Sequence, residues 1–145
     1  MAERGNIYAR AREQVMEAHA ERLSGNTAGI VLVLSTEPIA AVAESALEKG
    51  FAALGFGDGA CTFAQVKGMP EGELFELVEG VDPLLLVVAD ADAAKLYAEA
   101  ARQPLPLLGK GRLFGRETRA FSHLNGMFET EADRQAVWRL LKSMV

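Results

Sequence analysis

Two uninterrupted apolar runs, Ile30-Val-Leu-Val-Leu34 and Leu84-Leu-Leu-Val-Val-Ala89, constrain this chain more than any other feature. Each has strand length and no polar alternation, the pattern of a strand covered on both faces. Both fall far short of the roughly 20 residues that a bilayer-spanning helix needs. The cover must come from helices, and the chain offers them around the runs. Ile39, Val42, Ala43, Ala46 and Leu47 recur at helical spacing up to a stop at Gly50. Leu74, Phe75 and Val78 do so within 71–79, and Ala93, Leu96, Tyr97 and Ala100 within 91–101. Ser35-Thr-Glu-Pro38 is a helix start signal, a hydroxyl before an acid and a proline, and Asp90 caps the 91–101 helix. Buried strands alternating with helices predict an α/β fold, a three-layer α/β/α domain with a mostly parallel central sheet.

Shorter elements fill the rest. Residues 3–23 are expected to form a helix, with Ile7, Ala11, Val15, Met16, Ala18 and Leu23 at helical spacing, broken by Ser24–Gly29. Phe51–Phe56 is expected as a short strand, Gly57-Asp-Gly59 as a turn, and Ala60–Val66 as another strand. Leu105–Leu108 and Leu113–Phe114 are expected as short strands around Gly109-Lys-Gly-Arg112. Thr130 with Asp133 opens a last helix, 131–144, burying Val137, Trp138, Leu141 and Met144, with Trp138 packed on the sheet. The whole of 1–145 is expected as one domain, with residues 1–27 as N-terminal helix and linker turn and 28–145 as the α/β core.

Charge narrows the partners. The net charge is −5, distributed unevenly: residues 1–103 hold 8 Lys/Arg against 16 Asp/Glu, and residues 104–145 hold 7 against 4. An acidic body argues against broad tracking of nucleic-acid phosphates. The exception is a basic stretch, Lys110, Arg112, Arg116 and Arg119, offset only by Glu117. If nucleic acid binds, contact is expected there and at His123, weakly, fading near physiological salt. The single cysteine, Cys61, excludes an intrachain disulfide and an all-cysteine metal or cluster site. No metal site and no cofactor are expected. The N-terminus has no apolar h-region, so a cytoplasmic location without membrane attachment is the default expectation.

In a largely parallel sheet, ligands bind beyond the carboxyl ends of the strands. That rule picks out Ser35, Thr36 and Glu37 after the first run, Asp90 after the second, and the segment Ser122–Asn125. His123 is the one residue there able to carry a proton near neutral pH, which makes it the candidate catalytic group. Asp90 reads more simply as a helix cap, and Cys61 as a small buried hydrophobe.

The order of these pieces resembles the uracil-DNA glycosylase superfamily, most closely at the C-terminal end. Leu84–Ala89 and Ala91–Ala101 stand where that family has a hydrophobic strand and an Ala-rich helix. Gly109–Gly115 stands at its basic turn and short strand. His123-Leu-Asn-Gly-Met-Phe128 falls at its T-x-H-P-S-x-L-L segment, and Arg134-Gln-Ala-Val-Trp138-Arg-Leu-Leu-Lys142 at its closing K-x-x-x-W-x-x-L-K helix. Upstream, Cys61–Pro70 is similar to its strand ending in T-N-x-V-K and a proline, and Val31–Pro38 to its first strand and G-E-x-P-G loop. The departures concentrate on catalytic positions. Val42 stands at the acidic position, Ala64 at the base-reading Asn, and Leu124 and Asn125 at the Pro and Ser of H-P-S. The base-stacking P-F-x-G-x-x-G segment is missing. Excising a base needs a fitted pocket with stacking and edge hydrogen bonds. The resemblance therefore implies a bacterial-type, uracil-DNA glycosylase-like fold, related to DNA repair or replication, with the catalytic groups lost. Such a domain would be a protein-binding or accessory module. The alternative is an active DNA glycosylase or another nucleic-acid-processing enzyme. The candidate contacts are His123 with Ser35, Thr36, Glu37, Lys110, Arg112, Arg116, Arg119 and Asn125.

Overall fold

A computed structural model describes residues 13–145; Ile7 and Ala11 of the expected first helix lie outside them. The strands are β1 (Leu23–Gly25), β2 (Val31–Ser35), β3 (Cys61–Gln65), β4 (Leu85–Val88), β5 (Gly111–Leu113) and β6 (Arg116–Ala120). They form one sheet in the order β1-β3-β2-β4-β6-β5. Its helices are α1 (Ala41–Phe51), α2 (Glu71–Val81), α3 (Ala91–Ala101) and α4 (Glu131–Lys142). The two apolar runs are neighbours and parallel, Val31 opposite Leu85 through Leu34 opposite Val88.

Every residue of β2 and β4 is buried because helices cover both faces. Leu32, Leu34, Leu86 and Val88 join one core with Leu74, Leu77 and Val78 of α2 and Ala93 and Tyr97 of α3. Val31, Val33, Leu85 and Val87 join the other with Ala43, Leu47 and Phe51 of α1 and Val137 and Leu141 of α4. Neighbouring side chains on a strand point to opposite faces, so one apolar run feeds two cores.

The sheet is mixed, with its parallel pairings at the centre. Its four central strands pair in parallel, while β1 and β5 are antiparallel edges. The β5–β6 hairpin turns on Phe114 and Gly115, both at positive φ (52° and 75°), the backbone that suits a two-residue hairpin. The first helix ends early. Residues 13–18 are helical, 20–22 form a 3-10 turn, and Leu23–Gly25 joins the sheet against β3. Asn26 secures that edge, receiving the Ala28 N–H and donating to the Gly59 carbonyl.

Other expectations change. Phe51–Phe56 is not a strand: α1 runs through Gly50 and widens into a π-type turn over Ala52–Phe56, which Gly55 breaks at φ 97°. Gly50 is there for close approach rather than as a stop, since a Cβ on it would lie 3.2 Å from Leu141 Cδ1 of α4. Phe51 is buried and meets Phe56 edge-on at 6.0 Å. Val42 is 54% exposed and Phe75 is also exposed, so the inward faces of α1 and α2 are set by Leu47 and Phe51 and by Leu77 and Val81. Trp138 is 36% exposed and lies against Gly50 of α1, not on the sheet. Leu105–Leu108 makes only a single bridge, Leu107 to Ala120. The polar run Arg116–Ala120, by contrast, is a full strand beside β4. No described helix is long and apolar enough to cross a membrane.

Candidate functional site

Parallel pairing brings the carboxyl ends of β2, β4 and β6 to one rim. Thr36 and Glu37 leave β2, Asp90 leaves β4, and Ser122 and His123 leave β6. Asp90 lies at the centre and is buried. Its carboxylate accepts three hydrogen bonds of 2.8 Å, from the Thr36 N–H, the Thr36 hydroxyl and the Ala93 N–H. The last of these caps α3, as the sequence predicts. The backbone closes the rim further. Ala91 N–H donates to the Ser122 carbonyl, and Leu124 N–H to the Ala89 carbonyl.

Asn125 is also tied to the protein's own backbone. Its Oδ1 accepts the Ala40 N–H at 2.8 Å, and its Nδ2 donates to the Pro38 carbonyl at 3.0 Å. The Ser35–Pro38 signal therefore does not start α1. The Thr36 hydroxyl turns to Asp90, and α1 begins at Ala41 without a side-chain cap. Ser35 is buried in β2, its carbonyl receiving the Val66 N–H.

Glu37 and His123 remain open to solvent at this rim, each side chain 63% exposed, with Oε2 and Nε2 3.9 Å apart. The imidazole rests over Gly126, where a Cβ would come within 2.7 Å of Nδ1. On the α3 side of Thr36 lies a cleft of about 390 Å³. It is lined by Thr36, Glu37, Lys67, Asp92, Lys95 and Glu99, with Leu96 and Gly68 completing the wall. Three carboxylates and two ammonium groups nearly cancel there. The sequence reading missed Lys67 and Lys95. Lys67 follows β3 at its carboxyl end, so the strand-end rule could have found it.

The four basic residues are divided by the fold. Arg116 starts β6 at the opposite end of the sheet and is held by the Pro83 and Phe114 carbonyls, Glu79 and Asp82. Burial works against its charge, yet the Asp82 and Glu79 carboxylates raise its pKa above the ordinary value. Arg119 is 1% exposed and donates to the Ser143 hydroxyl and carbonyl, the Gly111 and Thr118 carbonyls, and Glu117. Arg112 is exposed and pairs with Glu117, and Lys110 is exposed.

Among the described residues no group of three or more His, Cys, Asp and Glu side chains could hold a metal ion. Cys61 is buried at the far end of β3, where burial and then the Glu48 carboxylate push its thiol pKa up, away from the reactive thiolate. What the rim offers chemically is the exposed His123–Glu37 pair, without a neighbouring activated nucleophile among the described residues. No family model matches the chain, and no curated protein matches it.

Proposed function

We propose that this α/β/α domain is a degenerate, uracil-DNA glycosylase-like fold that works as a non-catalytic binding module. One observation carries it: three of the polar side chains at the carboxyl-end rim, Asp90, Thr36 and Asn125, are bonded to the protein's own backbone and loops, while Glu37, His123 and Lys67 are left at its edge. Asp90, Thr36 and Asn125 fasten three strand ends together, so their principal hydrogen-bonding groups are committed to the fold. The apolar residues at the acidic and base-reading positions, Val42 and Ala64, support the same reading. Val42 is exposed on α1 and Ala64 is buried in β3. The experiment is base excision on uracil-containing DNA, single- and double-stranded. The expected result is no abasic-site formation. Time-dependent product that disappears in His123→Ala would overturn the proposal.

The alternative, an active nucleic-acid-processing enzyme, draws its support from the exposed His123–Glu37 pair. His123 would then donate a proton to a phosphate or leaving base. The same His123→Ala comparison decides between the two.

A further inference from the structure

A second concavity, of about 370 Å³, lies between the segment leading into β5 and the outer side of α4. Leu108, Ala136 and Leu140 form its apolar surface, and Lys110, Arg139 and Ser143 its polar edge. No carboxylate lines it, although the chain as a whole is acidic. Lys110 and Arg139 are exposed, and neither makes an ion pair within the described residues.

Leu108 marks this groove in another way. It has φ 58°, a backbone region that a bulky residue rarely adopts, and its side chain is 50% exposed. The other non-glycine residues at positive φ have local reasons: Asp82 and Arg102 close helices, and Phe114 is in the hairpin turn. Leu108 lies in the turn that leads into β5, its N–H bonded to the Ala120 carbonyl at 2.7 Å, where a glycine would suit the backbone better.

We propose that this groove binds an acidic peptide segment of a partner protein. Its apolar side chains would lie on Leu108, Ala136 and Leu140, and its carboxylates would meet Lys110 and Arg139. This rests on the binding-module reading and supplies its surface and partner chemistry. Charge complementarity selects the occupant: two unpaired cations at the edge of an apolar floor match carboxylates flanking hydrophobic anchors. A nucleic acid fits less well. Phosphate tracking takes several free cations, and Arg116 and Arg119 of the same segment are engaged inside the protein.

The test is a fluorescence-anisotropy titration of the full chain at low salt with a labelled peptide alternating Glu with Leu and Phe. The same peptide with Lys in place of Glu, and a single-stranded oligonucleotide, run beside it. The acidic peptide is expected to bind and the basic one not, with Lys110→Glu and Arg139→Glu each weakening binding about tenfold. Leu108→Gly should also weaken binding while its thermal midpoint equals or exceeds the parent's. No binding by the parent, unchanged affinity in both charge reversals, or tighter binding of the oligonucleotide would overturn the proposal. So would concentration-dependent self-association, seen in sedimentation and abolished by the same reversals, because the occupant would then be a second copy of this chain. Glycosylase activity would instead remove the binding-module reading itself, and the excision assay detects it separately.

Discussion

Thr36 and Asp90 stand 54 positions apart and share two hydrogen bonds of 2.8 Å, one from the Thr36 backbone N–H and one from its hydroxyl. The pair joins the end of β2 to the end of β4 at the rim where an α/β sheet usually holds its ligand. Asp90 does this while capping α3, so one carboxylate fixes two strand ends and one helix.

Asn125 plays the corresponding part for the loop before α1. Asn125→Ala would remove its bonds to the part-buried Ala40 N–H and the exposed Pro38 carbonyl, at an expected loss of about 0.5–1.5 kcal/mol. Urea unfolding of the variant beside the parent measures it. Unchanged stability would mean that the loop holds its shape without the amide.

The Glu117–Arg119 pair gives a pH dependence of definite sign. The Arg119 hydrogen bond, opposed by partial burial and aided by the charges of Arg119 and Arg112, holds Glu117 below the ordinary carboxylate range. A depressed folded-state pKa contributes stability that is complete above the unfolded value, near 4.3. That contribution is lost as pH falls through the lower folded value. Urea midpoints taken from pH 7 down to 3 should therefore fall more steeply for the parent than for Glu117→Gln. Parallel curves would contradict the coupling.

Cys61 should be inert in the folded protein. Its thiol is buried, and both burial and Glu48 disfavour the thiolate. Alkylation by iodoacetamide at pH 8 is expected to be slower than in the urea-unfolded chain by about two orders of magnitude or more, since reaction requires opening. Comparable rates would show that the site opens locally.

The apolar skeleton was legible in the sequence because burial on both faces leaves a direct trace. Ile30–Leu34 and Leu84–Ala89 are the two central strands, and Asp90 and Thr130 cap the helices that follow them. Elements fixed by tertiary contact were not legible. Arg116–Ala120 is polar and reads as a loop, but Arg119 finds five partners through the fold and can be buried in a strand. Gly50 reads as a helix stop until Leu141 is seen above it. At the site, the strand-end rule located Thr36, Glu37, Asp90 and His123 together. It could not say that Thr36 and Asn125 would have their bonding groups taken up by neighbouring loops, because those partners lie 54 and 85–87 positions away.

The most direct measurement is the unfolding free energy of Asp90→Ala by urea titration at neutral pH. A carboxylate held for structure leaves the Thr36 and Ala93 N–H groups unpaired when it is removed, and the cap of α3 is lost as well. The expected loss is about 2–4 kcal/mol. A carboxylate held for chemistry is commonly kept at the expense of stability, so its removal leaves stability unchanged or raised. Parental or greater stability in Asp90→Ala would contradict a structural rim and make Asp90 a candidate for chemistry.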